Sequence, residues 1–146
     1  MQGITGHELS SRKAEYLKYI HMQGDVVKTT EIAARFSVAP STVTKALTEI
    51  AKAGYIEHRP YHGVRLTSAG TEYARFLLRR HRIVALVLSR HGLEPDEACR
   101  EAAKIEQCFS KDLTNRICSS LGHPMMSGCG EIEHDHCCCP SCGHQG

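Results

Sequence analysis

The C-terminal end constrains the fold of this chain most. The last eighteen residues, from Cys129 to Gly146, hold five of the eight cysteines and three of the ten histidines, and Ile132 is their only large aliphatic side chain. Such a run builds no hydrophobic core. Thiolate together with imidazole is the donor set that a soft or borderline metal ion selects. Cys139-Pro-Ser-Cys142 has the spacing at which two thiolates close on one tetrahedral ion, at about 2.3 Å each. Cys129, His134, His136, Cys137, Cys138 and His144 offer further ligands. Residues 125–146 are therefore expected to form a Cys/His-rich metal-binding tail that needs a ligand to fold. The run does not name its ion: zinc, ferrous iron, an iron–sulfur cluster, cuprous copper, cadmium and mercuric ion all fit.

At 146 residues the chain has room for one domain or two small ones. Met1 to Lys18 contains no apolar leader, and the longest aliphatic run, Ile83 to Leu88, is too short to cross a bilayer. A cytoplasmic location without membrane contact is expected. Thiols there stay reduced, which makes clustered cysteines metal ligands or redox sensors rather than structural disulfides. Charge is segregated. Residues 1–92 carry fourteen Lys/Arg against seven Asp/Glu, and residues 93–146 carry four against nine. A basic half points to a polyanion, an acidic and sulfur-rich half to cations.

The body of the chain reads as mainly α-helical. Residues 1–11 are expected to be a frayed lead, followed by a helix over 12–23 capped by Ser11. A short helix capped by Thr29 or Thr30 runs to Phe36. Ser37-Val38-Ala39 is a three-residue turn, and Pro40 opens a helix at the position where its missing N–H costs nothing. Val43, Leu47 and Ile50 repeat on one face and Gly54 ends it. Helix, tight turn, helix is the helix-turn-helix layout. Two short strands around Pro60-Tyr61-His62-Gly63 follow as a wing. Thr67 caps a long helix over about 68–91. A further helix opens at Pro95 with Ala98, Ala102, Ile105 and Phe109 on one stripe, and Ser110 caps a last one with Leu113, Ile117 and Leu121 inward. The expected fold is an N-terminal winged helix-turn-helix with a two-stranded wing (1–75), a helical dimerization domain (76–124) and the tail (125–146).

In such a winged helix the first turns of the second helix enter the major groove. Ser41, Thr42, Thr44 and Lys45 are its exposed side chains. Hydroxyls donate to phosphates or base edges, and Lys45 reaches a phosphate or a guanine. Arg59 and Arg65 on the wing suit the phosphate backbone. Double-stranded DNA is the expected partner.

From Tyr16 to about Pro124, roughly three quarters of its length, the chain resembles the diphtheria toxin repressor / manganese transport regulator family of metal-dependent repressors. The resemblance rests on Glu31-Ile32-Ala33, Pro40-Ser-x-Val-Thr-Lys45, Gly54-Tyr55-Ile56, Tyr61-x-Gly63-Val64-x-Leu66-Thr67-x-x-Gly70, Arg80-His81-Arg82, Glu101-Ala102 with Ile105-Glu106, and Leu121-Gly122-His123-Pro124. Their order and spacing carry it. It implies a homodimeric regulator with a divalent-metal corepressor site between a DNA-binding and a dimerization domain. The third, SH3-like domain of longer members has no room here.

Carried over by position, the resemblance places Glu15, His81 and Glu106 among the metal ligands. Lys18 stands where manganese-type members place a Glu, Gln107 where a His is expected, and Ala103 where a Glu or Cys is expected. Cys99 replaces a His of iron-type members. Cys99 and Glu106 are two helical turns apart, on one face, where His81 of the preceding helix can meet them, while Cys108 lies off that face. A set of Glu15, His81, Cys99 and Glu106 is softer than a carboxylate-rich manganese site, and ferrous iron or zinc suits it better. Metal-dependent transcriptional regulation, with repression as the expected mode, is the leading reading. The alternatives are an iron–sulfur or thiol redox sensor using the tail and, more remotely, a thiol oxidoreductase or metal-trafficking protein using Cys139 and Cys142. No nucleophile–base pair or phosphate-binding glycine loop points to a metabolic enzyme.

Overall fold

The computed structural model describes residues 3–134. His136, Cys137, Cys138, Cys139, Cys142 and His144 lie outside the described residues. The chain divides into two compact units, one of Leu9–Arg75 and one that joins the lead up to Glu8 with the chain from Phe76 onward.

The first unit is a winged helix. Helix α1 (Ser11–Gln23) ends where Gly24 takes a left-handed φ of 79°. Its N-cap is Ser10, one residue before the expected Ser11, and the Ser10 side chain makes no capping bond. Helix α2 (Thr29–Phe36) starts at Lys28 rather than at a threonine cap. The first turn is satisfied instead by Glu31, whose carboxylate accepts the Lys28 N–H at 2.9 Å. Ser37, left-handed at φ 54°, makes the tight turn, and Pro40 occupies the first turn of α3 (Pro40–Lys52) as expected. Val43, Leu47 and Ile50 are fully buried, together with Leu17, Ile20 and Ile32. Burial of this kind stabilises by about 1.5–3 kcal/mol per large aliphatic side chain.

The wing is β1 (Ile56–Arg59) paired antiparallel with β2 (Gly63–Leu66), with Glu57 opposite Arg65 and Arg59 opposite Gly63. Val27 bridges to Val64 and fixes the wing to the chain that precedes α2. This approach demands glycine at position 63, where a Cβ would stand 2.2 Å from the Val27 carbonyl oxygen. Gly70 is equally constrained, since a Cβ there would lie 1.8 Å from the Tyr55 oxygen. Thr67 caps helix α4 (Ser68–Arg90) by accepting the Gly70 N–H at 3.1 Å, and its hydroxyl donates to the Gly54 carbonyl at 2.6 Å.

The second unit contains the later part of α4, then α5 (Pro95–Ile105), a single 3-10 turn (Glu106–Cys108) and α6 (Lys111–Ser120). Asp96 and Glu97 complement the N-terminal dipole of α5. The Ser110 side chain caps α6 by accepting the Leu113 N–H at 3.1 Å. Its core includes an apolar cluster of Ile83, Cys118 and Ile132 and another of Val84, Ala85 and Ala102.

Four expectations fail here for physical reasons. Helix α5 stops at Ile105, which is left exposed, while Phe109, beyond the tighter turn, still packs against Val84, Ala85 and Ala102 as expected. Leu113 is also exposed, whereas Ile117 and Leu121 pack inward as expected beside the buried Thr114 and Cys118. The lead is docked rather than frayed, because the buried Arg80 guanidinium donates to the Gly6 carbonyl at 2.8 Å and Lys111 N–H to the Thr5 carbonyl at 2.7 Å. Residues 126–134 also fold further than expected. Strand β3 (Met126–Ser127) pairs with β4 (Gly130–Glu131), and Ile132 is fully buried against Ile83 and Cys118.

Candidate metal centre

Three consecutive residues of α4 organise the second unit. Arg80 donates to the Phe109 carbonyl and to Gln107 Oε1, both at 3.0 Å, and so fixes the 3-10 turn. Gln107, which stands where the resemblance leads one to expect a ligand histidine, is committed to that bond. Arg82 donates to the Glu131 carbonyl and holds β4. Between them in the chain, His81 reaches Glu106 and Cys99.

The two nitrogens of His81 face different partners. Nδ1 is hydrogen-bonded to Glu106 Oε2, and Nε2 lies 3.0 Å from Cys99 Sγ. Glu106 is only 4% exposed. A carboxylate can only accept, so Nδ1 carries a hydrogen, and Nε2 is the nitrogen turned toward the thiol. Carboxylate, histidine and then a donor site is the arrangement by which proteins orient a ligating imidazole. Cys129, in the turn between β3 and β4, completes a group: donor atoms of His81, Cys99 and Cys129 all lie within 4.8 Å of one another. A tetrahedral ion bound at about 2.0–2.3 Å separates its donors by about 3.3–3.8 Å, so the three side chains fit such an ion with small adjustments.

The two thiols differ in acidity. Burial pushes the Cys99 thiol up, but hydrogen bonds from His81 and Cys129 and the charge of His81 outweigh it, and its pKa falls below the ordinary thiol value. Burial, then hydrogen bonding and repulsion from Cys99, push Cys129 up to about 11. Without a cation, one of the paired thiols keeps its proton.

A second group was not foreseen. Cys118 Sγ lies 3.4 Å from His134 Nδ1 and 3.6 Å from His123 Nδ1. Its donors are also within 4.8 Å of one another. Only His134 was singled out from the sequence, because Cys118 reads as a small core residue and His123 as part of a helix stop. The sole signal was a histidine five residues after a cysteine.

Glu15 lies on α1 in the first unit, paired with Lys18 at 2.6 Å. Cys108 is exposed. On α3, Ser41, Thr42, Thr44 and Lys45 are all exposed, and the Thr44 hydroxyl donates back to the Pro40 carbonyl at 2.9 Å. Arg59 and Arg65 are exposed on the wing and both are paired with Glu57. Tyr61, fully exposed at the wing tip with φ 64°, was missed as a surface feature.

Residues 8–64 match the family model for the iron dependent repressor N-terminal DNA binding domain, and residues 67–134 match that for the iron dependent repressor metal binding and dimerisation domain. An uncharacterized HTH-type transcriptional regulator of Methanocaldococcus jannaschii is 31% identical over 114 residues, covering 75% of this chain and 91% of that protein. The chain belongs to the iron-dependent repressor family. Another relative is the HTH-type transcriptional regulator MntR of Listeria monocytogenes, 32% identical over 90 residues, which cover 62% of this chain and 63% of MntR. Among solved structures, a hypothetical protein from Sulfolobus solfataricus superposes with a TM-score of 0.75 at 25% identity, covering 86% of this chain and 100% of that one. A manganese-dependent transcriptional repressor in complex with manganese gives a TM-score of 0.69 at 28% identity, covering 84% and 62%. The iron-dependent repressor fold is therefore common to the chain and its relatives. The chain spans less than two thirds of the length of MntR and of that manganese-dependent repressor. None of its helices, among the described residues, is long and apolar enough to cross a membrane.

Proposed function

We propose that this iron-dependent repressor family member is a cytoplasmic, homodimeric repressor whose effector cation is held by His81, Cys99 and Cys129, with Glu106 orienting His81. The observation that carries the reading is the two-sided engagement of His81, by a buried carboxylate on Nδ1 and a thiol on Nε2. One imidazole and two thiols favour zinc or ferrous iron over manganese, which prefers carboxylate and water oxygens. A bound cation there supplies positive charge that replaces the thiol protons. The chain's own residues then do the work: Cys129 brings the β3–β4 turn to α5, and His81 joins both to α4.

The Leu9–Arg75 unit is assigned the reading of operator DNA. Ser41, Thr42, Thr44 and Lys45 face the major groove, and Arg59 and Arg65 exchange Glu57 for phosphates. A dimer must hold two such helices about 34 Å apart to match successive turns of the duplex. The exposed apolar side chains Ile105, Leu113, Met125 and Met126 support self-association of the second unit. The effector acts by binding the DNA-competent arrangement more tightly than the other. His136, Cys137, Cys138, Cys139, Cys142 and His144 are assigned to a further cation-binding segment. No comparison supports the redox-sensing alternative.

A mobility-shift titration of a duplex enriched by in vitro selection tests the reading. Binding is expected with zinc or ferrous ion and is expected to disappear with chelator. Equal binding in both conditions would overturn it.

A further inference from the structure

We infer that the second unit holds another metal site, built from Cys118, His123 and His134, which takes a zinc-class divalent cation and fastens both ends of the hairpin that carries Cys129. Three elements converge on it. Cys118 comes from α6 and is fully buried beside Ile83 and Ile132. His123 follows the end of that helix, and His134 follows β4. The His134 Nε2 donates to the Pro124 carbonyl at 3.0 Å. A carbonyl only accepts, so Nε2 carries a hydrogen, and Nδ1 is the nitrogen turned toward Cys118 Sγ. An outer hydrogen bond that fixes the tautomer and aims the other nitrogen is the usual support of a ligating histidine.

His123 is held for the same purpose. Its φ of 54° is a conformation that residues other than glycine seldom adopt, and its N–H is bonded to the Cys118 carbonyl at 2.9 Å. That turn brings the ring back over the helix it has just left, so that its Nδ1 faces the same sulfur. A thiol has one proton and here meets two ring nitrogens. A cation satisfies the sulfur and both nitrogens at once, at the cost of that proton. One sulfur and two imidazoles suit zinc or ferrous iron and not calcium or magnesium. Three protein ligands leave one tetrahedral position for water or a further ligand.

The placement gives the site a role. The segment Met126–Glu131 lies between His123 and His134 in the chain, and Cys129 lies in its turn. Anchoring both ends to Cys118 restricts where Cys129 can go and pre-organises it for Cys99 and His81. This role rests on the effector-site reading above, whereas the existence of the site does not.

The test uses the full chain with Cys137, Cys138, Cys139 and Cys142 changed to serine, purified anaerobically and loaded with zinc. Two ions per chain are expected. His123→Ala and His134→Ala, which leave the buried thiol in place, should each bind one ion. Cobalt in these variants should give a spectrum with the thiolate charge transfer of the Cys99–Cys129 pair. Cys99→Ser should likewise bind one ion, with a single-thiolate cobalt spectrum that His134→Ala abolishes. Stoichiometry unchanged in both histidine variants, with circular dichroism showing the fold intact, would overturn this site. Stoichiometry unchanged in Cys99→Ser would instead overturn the effector-site reading.

Discussion

His81 Nε2 and Cys99 Sγ lie 3.0 Å apart, while the opposite nitrogen of the same ring is bonded to Glu106. This relationship gives the carboxylate and the thiol unequal places: in the proposed site Cys99 would face the cation, and Glu106 faces the ring. Glu106→Ala should therefore weaken zinc affinity by about 10–100-fold, the usual effect of removing an orienting carboxylate. Glu106→Gln, which can still accept from Nδ1–H, should recover part of that loss. Competition with a chromophoric chelator measures both.

Arg80 is almost wholly buried and donates to Gly6, Gln107 and Phe109. Arg80→Met keeps much of the volume and leaves those acceptors without the guanidinium. Hydrogen bonds to charged groups are each worth about 1.5–3 kcal/mol, and a loss of about 3 kcal/mol overall is expected in urea denaturation. The 3-10 turn that carries Glu106 should loosen with it, so zinc affinity should fall as well.

Gly70→Ala should be among the most damaging small substitutions in the first unit. Its new methyl would meet the Tyr55 carbonyl at 1.8 Å, and backbone cannot yield cheaply. Overpacking of this severity costs about 3 kcal/mol, read as a lower denaturation midpoint. An alanine at Gly24, where a Cβ meets nothing within 4 Å, carries only the strain of its left-handed φ and should cost less.

Much of this architecture could be read from local signals. Pro40 opening α3, Thr67 capping α4 and Ser110 capping α6 are residues whose chemistry acts within three or four positions, and the structure uses each as expected. What could not be read depends on distant partners. Arg80 docks the lead from 74 residues away. The hairpin after Met125 is held by Arg82 and by Ile132, neither of which announces a strand. The pairing of His81 with Cys99 was legible because both carry chemistry on helices of clear period. Cys129 was read with the tail, because only tertiary packing brings it to Cys99. Cys118 and His123 were silent because a buried cysteine and a histidine after a helix stop are ordinary core and turn residues.

Lys45 is exposed on α3 beside Thr44 and Thr42. Lys45→Ala should weaken binding of duplex DNA and lower the slope of log affinity against log salt by about one unit, if the ammonium meets a phosphate. A change in sequence preference with an unchanged slope would place it on a base instead. Fluorescence anisotropy across a salt series separates the two.

The central claim is that cation binding at His81, Cys99 and Cys129 controls the grip of the first unit on DNA. The most direct measurement is the affinity of the full chain and of the Cys99→Ser/Cys129→Ser variant for the same selected duplex, each with and without zinc. The account predicts that zinc strengthens binding by the native chain at least tenfold and leaves the variant at the metal-free level. A variant that responds to zinc as strongly as the native chain would contradict it.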